Sequence, residues 1–190
     1  FPYTTLFRSS AVKDSKIYDF FCALTGHQRR RFLVFLASPY FNQRADLQRL
    51  AQYLVDSLHA GREPVREAAY AAAMGSEAAA YDDAHLRTQQ TFLLRLGEEF
   101  LRVEQWRKSA PYVQQAALHE AYKKLHLPKH SAQNLERWQA AIEQEQAAGA
   151  EALAARYAYE LATQEAVDKQ ERQAVRSLQP AVDALELYFI

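Results

Sequence analysis

Residues 27–42 read HQRRRFLVFLASPYFN, and this stretch predicts the end of one helix and the approach to another. Within 29–37, spacings of three and four place apolar side chains on one helix face, because such spacings return to the same side. That face consists of Phe32, Phe35 and Leu36. Pro39 ends the helix, since proline lacks an N–H and disfavours the α conformation in the residue before it. The stretch therefore predicts a helix that stops at a corner.

The corner that follows is aromatic, with Tyr40 and Phe41 adjacent in the chain. Asn42 comes next, and we expect its side-chain oxygen to accept a free backbone N–H as the N-cap of a helix at 43–60. The apolar stripe of that helix consists of Leu47, Leu50, Ala51, Leu54 and Leu58. Two helices are therefore predicted to meet at an aromatic-filled corner.

The composition of the 190 residues favours helix over sheet. Only five glycines and six prolines occur, and helix-favouring residues outnumber β-branched ones. We predict an all-α fold of about eight or nine helices, arranged as antiparallel helical hairpins in a bundle or a short solenoid-like array. The predicted helices span about 15–25, 27–38, 43–60, 64–74, 82–106, 109–125, 128–148, 150–166 and 177–190, with a loop or a frayed helix end at 168–173.

Two details of the first predicted helix depend on single residues. Gly26 is expected to end it as the left-handed residue that often follows a helix. Cys22 is the only cysteine, so it cannot form an internal disulfide. Because its neighbours are apolar and free cysteines are commonly buried, we expect Cys22 to lie in the core.

Three short motifs carry a family resemblance. They are SPYFN at 38–42, YDDAHLR at 81–87 and GEEFLR at 97–102. With helices between them, they resemble a family of all-helical, uncharacterised bacterial proteins over roughly residues 13–190. The resemblance implies a helical fold, and it implies no catalytic residues.

The predicted domain organisation has three parts. Residues 1–9, FPYTTLFRS, resemble translated sequencing adapter and are expected to form an artefactual or disordered tail. Residues 10–107 are predicted to be an N-terminal helical bundle, and 108–190 a set of C-terminal helical hairpins truncated at the C-terminus. Residues 178–190 form an apolar stripe that needs a partner, so we expect self-association through them.

The sequence offers little catalytic or metal-binding chemistry. It contains no GxSxG, HExxH, P-loop, GxGxxG or CxxC motif. His119, His126 and His130 are close in the chain, but Pro128 breaks the helix that would align a metal-binding pair. The acidic pairs at 82–83 and 98–99 are better explained by helix capping and by a solvated helix face. We therefore expect no enzymatic activity, no metal and no cofactor.

Nucleic-acid and membrane partners are also disfavoured by the sequence. The net charge is zero, so the chain has no overall field to attract phosphates. The first residues resemble neither a signal peptide nor a membrane segment, which predicts a cytoplasmic protein without membrane contact. The alternative is a DNA-binding protein similar to a helix-turn-helix, with a helix at 64–74 and a second from 82 that carries Arg87 and Arg95.

The function that these patterns favour is a non-enzymatic helical scaffold or protein–protein interaction module. Most aromatic side chains lie on apolar stripes and are predicted to be core; they are Phe20, Phe21, Phe32, Phe35, Phe92, Phe100, Trp138 and Tyr157. Four others lie at predicted corners and are the candidate partner-binding residues; they are Tyr40, Phe41, Trp106 and Tyr112.

Overall fold

The computed structural model describes residues 12, 15–75, 80–144 and 150–170, and these residues are almost entirely helical. The helices are α1 (Lys16–Ala23), α2 (Gly26–Ala37), α3 (Ala45–His59), α4 (Arg66–Met74), α5 (Asp83–Lys108), α6 (Pro111–Lys124), α7 (Pro128–Gln144) and α8 (Ala150–Gln170). No β-strand occurs within those ranges. The prediction of an all-α fold with about eight helices is therefore confirmed.

The chain divides into two compact units, unit 1 (Phe1–Glu104) and unit 2 (Gln105–Ile190). The helix α5 runs through this division, and the other helices belong to one unit each. The segments 1–9 and 178–190, for which a tail and a self-association surface were predicted, lie outside the described residues.

The core of unit 1 is built around phenylalanine rings from α1, α2 and α5. Phe32 is fully buried, and its ring centroid lies 5.5 Å from that of Phe20, 5.6 Å from that of Phe21 and 5.2 Å from that of Phe100. Aromatic pairs at such distances contribute about 0.5–1.5 kcal/mol beyond the burial of their surface. The predicted inward faces of α2 and α3 are buried here; they include Phe35, Leu36, Leu47, Leu50, Ala51 and Leu54.

Gly97 allows α5 to approach α1 closely. A Cβ atom built at Gly97 would lie 2.7 Å from Cζ of the Phe20 ring. No real Cβ makes contacts that short, so residue 97 must be glycine while the Phe20 ring keeps this position.

The turn between α1 and α2 differs from the prediction at Gly26. α1 ends at Ala23, and Gly26 is the first residue of α2 rather than the left-handed end of α1. Thr25 is the N-cap: its hydroxyl accepts from the backbone N–H of Gln28, and the Gln28 side chain accepts from the backbone N–H of Thr25. The reciprocal cap starts a helix at the position where a glycine C-cap was expected.

The carbonyls at the end of α1 are satisfied by an arginine instead of a glycine turn. Nε of Arg29 donates to the Phe21 carbonyl oxygen at 2.8 Å, and Nη2 donates to the Cys22 carbonyl oxygen at 3.3 Å. The expectation that Cys22 is buried is wrong, because its side chain is exposed. Cys22 is one position from buried Phe21, which rotates it about 100° away from the core face.

The described part of unit 2 contains the end of α5 and the helices α6 and α7, which a short corner joins, with α8 packed on α6 and α7. His126 forms the corner in the left-handed conformation, with φ of 54°. The buried core consists of Tyr112, Leu135, Trp138, Ala141, Ile142 and Ala162. The helix α8 continues to Gln170, so residues 168–170, predicted to be a loop or a frayed helix end, are helical.

Candidate functional site

A groove of about 700 Å³ opens in unit 1 beside the SPYFN corner, and we call it the corner groove. One wall is formed by residues 39–44 between α2 and α3, and the other by the outer face of α5. The side chains that give it its character are Tyr40, Phe41, Arg44, Phe92, Arg95 and Arg102.

Asn42 holds the corner in shape, although not in the way that the sequence suggested. It is not the N-cap of α3, which is Arg44, and Arg44 makes no side-chain cap hydrogen bond. The buried Asn42 amide instead donates to the carbonyl oxygens of Leu36 and Arg44, each at 3.0 Å, and its Oδ1 accepts from the Arg44 N–H at 3.0 Å. Asn42 therefore joins the last turn of α2 to the segment that precedes α3.

The two aromatic residues of the corner have different environments. The Phe41 ring stacks on Phe35 of the core, with ring centroids 4.1 Å apart. The Tyr40 ring meets the edge of Phe41 at 4.9 Å but is 88% exposed. Phe41 thus anchors the corner to the core, while Tyr40 presents most of its ring to solvent.

Phe92 supplies an aromatic surface on the opposite wall. The sequence predicted Phe92 to be a core residue, and this is wrong, because its side chain is 39% exposed. Leu86, Leu93 and Phe100 occupy the buried face, and Phe92 is about 100° from it. Its exposure leaves the Phe92 ring open to the groove.

Two arginines lie over the Phe92 ring. The guanidinium carbon of Arg44 is 4.9 Å from the ring centroid, and that of Arg95 is 5.7 Å from it. Both distances are within the range of a cation–π interaction, which contributes about 0.5–1 kcal/mol at an exposed site. The result is a mixed aromatic and cationic surface.

A chain of hydrogen bonds from the interior fixes Arg44. Its guanidinium donates to both oxygens of Asp46, at 3.2 and 2.6 Å, and the fully buried Gln89 donates to the same carboxylate at 3.0 Å. Partial burial favours a raised pKa for Asp46, but the hydrogen bonds from Arg44 and Gln89 outweigh it and lower the pKa. Gln89, which interrupts the apolar stripe of α5, therefore helps to hold Arg44 in place through Asp46.

The three arginines of the groove lie among three carboxylates, since Glu98 and Glu99 also line it and Asp46 pairs with Arg44. Arg44 pairs with Asp46, and Arg102 pairs with Glu99 at 2.7 Å. Among the ion pairs of the described residues, none includes Arg95. Arg95 and Glu98 are thus the charged groove residues that none of these ion pairs includes, and a partner carboxylate can reach Arg95 without displacing one of the pairs.

No protein-family model, curated protein or solved structure matches this chain. The resemblance to a family of helical bacterial proteins therefore stays a prediction.

The structure brings together two of the four predicted partner-binding residues. Tyr40 and Phe41 line the corner groove, whereas Trp106 and Tyr112 belong to unit 2. Trp106 is 46% exposed near the end of α5, but Tyr112 is 6% exposed and part of the core. Phe92 and the arginines were not among the predicted partner-binding residues; the spacing of Phe92 and Arg95 by three positions on one helix was the available signal.

The remaining candidate chemistry is explained by local structure. Asp82 caps α5 by accepting from the N–H groups of Ala84 and His85. His119 is buried while His126 and His130 are exposed, and within the described ranges no group of three ligand-type side chains could hold a metal ion.

The helix-turn-helix alternative gains no support from α4 and α5. They are separated by residues 75–82, longer than the three- to four-residue turn of that motif. Arg87 is engaged with Asp83 at 2.8 Å, and Arg66 with the same carboxylate at 2.7 Å. In the described part of the chain, no helix is long and apolar enough to cross a membrane.

Proposed function

We propose that this chain is a non-enzymatic helical interaction module that binds a partner protein through the corner groove. The observation that carries the proposal is the concentration of exposed aromatic and arginine side chains in one depression of unit 1. Tyrosine, phenylalanine and arginine are the residues enriched at the centres of protein interfaces. An all-α scaffold without a catalytic motif agrees with this role.

The arrangement of the groove also favours binding because its polar groups are held in place before a partner arrives. Asn42 fixes the backbone of the corner, and the contact with Gln89 and Asp46 fixes Arg44. A surface that loses little side-chain entropy on binding retains more of its contact energy as affinity.

The chemistry of the groove defines the partner that we propose. We infer that an apolar or aromatic side chain of the partner contacts Tyr40 and Phe92, and that a nearby carboxylate meets Arg95, which is in no ion pair among the described residues. We therefore propose a partner segment with an aromatic or large aliphatic residue next to Asp or Glu. The single cysteine requires no oxidising environment, which agrees with a cytoplasmic setting.

Peptide selection tests this proposal directly. The full chain is panned against a random peptide library, and the affinities of the selected peptides are measured by fluorescence polarisation. We expect an acidic and aromatic consensus, with affinity reduced tenfold or more by Tyr40→Ala and by Phe92→Ala, as for interface hot spots.

Charge reversal provides the matched comparison. Arg95→Glu is expected to lower the affinity for the same peptides about tenfold. Two controls should leave the affinity unchanged: Arg107→Glu on the same helix, and Val34→Ala at an exposed apolar position of α2. Peptides whose binding is insensitive to the groove variants would contradict the proposal. Binding to mixed duplex DNA that weakens steeply with salt would support the alternative instead.

A further inference from the structure

Unit 2 contains a cavity of about 360 Å³ between α6, α7 and α8. It shares no lining residue with the corner groove. Its walls include Tyr122, Leu127 and three alanines, Ala132, Ala162 and Ala166. The short alanine side chains leave space between the helices that larger residues would fill. The volume lies within the range of small-molecule sites, roughly 300–1,000 Å³.

A polar pair, buried His119 and partly buried Ser131, lies at one side of this cavity. His119 is 2% exposed, and its Nδ1 lies 3.3 Å from Oγ of Ser131. Burial lowers the pKa of His119, and the charge of Lys123 lowers it further, so the imidazole is neutral at neutral pH. The cavity therefore presents a neutral polar pair on an otherwise largely apolar wall.

Ser131 keeps hydrogen-bonding capacity after its contact with His119. A serine hydroxyl has one donor and two acceptor lone pairs. If it donates to His119, both lone pairs remain, and if it accepts, its own proton and a lone pair remain. In either tautomer of His119, Ser131 can hydrogen-bond to a hydroxyl group of a ligand.

The charged side chains that line the cavity, Lys123 and Glu165, form an ion pair and so neutralise one another to a large extent. Nζ of Lys123 lies 3.1 Å from Glu120 and 2.7 Å from Glu165. An anionic ligand would meet these two carboxylates, and a cationic ligand would meet the Lys123 ammonium. A charged ligand of either sign would therefore be repelled by a like charge at short range. Neutral ligands are favoured for this reason.

We propose that this cavity binds a neutral, mostly apolar small molecule with one hydroxyl group, which hydrogen-bonds to Ser131. The apolar part lies against Leu127 and the alanines of α7 and α8. This site is separate from peptide binding at the corner groove, and each can fail without the other.

The probe for the test is 4-methylphenol, compared with toluene, 4-methylbenzoate and 4-methylbenzylamine. Binding to the full chain is followed by NMR through the indole N–H of Trp138, whose ring centroid is 5.7 Å from that of His119. The variant Trp106→Phe assigns this signal, since the chain has only two tryptophans. We expect saturable binding of 4-methylphenol and weaker binding of the three other probes.

Three substitutions identify the site. Ala162→Phe fills the cavity and should abolish binding, while Ala158→Phe on the exposed side of the same helix should not. If Ala162→Phe fails to fold by circular dichroism, Ala132→Leu serves the same purpose, since Ala132 lines the cavity but is exposed.

Ser131→Ala separates the hydrogen bond from the apolar contact. It should lower the affinity for 4-methylphenol about threefold to tenfold, which is the effect of one hydrogen bond. The affinity for toluene should not change. The proposal is overturned if 4-methylphenol does not bind, if Ala162→Phe and Ala132→Leu retain binding, or if a charged probe or toluene binds more tightly. Tyr40→Ala should leave this binding intact.

Discussion

At the scale of single residues, Gly97 shows how one hydrogen atom in place of a methyl group sets the distance between two helices. We expect Gly97→Ala to lower the free energy of unfolding by about 1–3 kcal/mol, the usual range for overpacking. Alanine favours helix over glycine by about 1 kcal/mol, but the contact of its Cβ with the Phe20 ring outweighs this gain. Urea denaturation measures the difference.

Gly26→Ala is the matched control for Gly97→Ala. Gly26 is also helical, and nothing lies within 4 Å of a Cβ built there, so its replacement should be neutral or slightly stabilising. Phe20→Leu in the Gly97→Ala background should recover part of the loss. A stable Gly97→Ala variant would show that the Phe20 ring moves away without cost.

Asp46 gives unit 1 a pH dependence. Its pKa is lowered in the folded chain, so its contribution to stability is present above the unfolded pKa of about 3.9 and is lost as pH falls through the folded pKa. Asp46→Asn should therefore cost about 1–3 kcal/mol at pH 7 and progressively less below pH ~4. Denaturation at several pH values tests this, with exposed Asp56→Asn as control. A difference that is constant with pH would contradict it.

At the scale of secondary-structure elements, the hydrogen bonds of Asn42 hold the α2–α3 corner together. Asn42→Ala removes three hydrogen bonds in a buried position, which should cost about 1–3 kcal/mol. The exposed neighbour Gln43→Ala should have little effect. Thermal or urea unfolding of the two variants gives the comparison.

The Leu36 carbonyl offers a second check on this corner. It also accepts from Nε2 of Gln48 at 2.9 Å, so one donor remains when Asn42 is replaced. The double variant Asn42→Ala, Gln48→Ala removes both donors, and its cost should exceed the sum of the single effects. Strict additivity would mean that solvent reaches this carbonyl.

At the scale of the whole molecule, the two units have separate buried cores with no shared residue among those described. Both tryptophans, Trp106 and Trp138, belong to unit 2. Tryptophan fluorescence therefore follows unit 2, whereas far-UV circular dichroism follows the helices of both units.

Core substitutions in unit 1 should separate these two signals. Phe35→Ala and Leu54→Ala should each lower the stability of unit 1 by about 2–5 kcal/mol, because both side chains are buried. The urea midpoint by circular dichroism should fall while the fluorescence midpoint stays unchanged. Val34→Ala, at a 73% exposed position, is the control. A joint shift of both signals would show that the units unfold together.

Some features of the whole molecule follow from the periodicity of the sequence, and others depend on tertiary packing. Helix positions and the inward faces of α2 and α3 follow from periodicity, because an apolar stripe such as that of Phe32 and Leu54 must be buried. Cys22 and Phe92 were assigned wrongly because each adjoins a buried residue, and only the packing of other helices decides which of the two turns inward. The corner groove could not be predicted because it forms only where α5 packs beside the 38–42 corner. That packing is a tertiary contact, which periodicity does not encode.

The exposure of Cys22 makes the molecule suitable for site-specific labelling. It is the only cysteine and its thiol is accessible, so a maleimide dye couples at a single position in unit 1. The tryptophans of unit 2 can act as donors for a dye that absorbs near their emission. Energy transfer in the native chain then reports an average of the dye's distances from Trp106 and Trp138 in solution, and it requires no mutation.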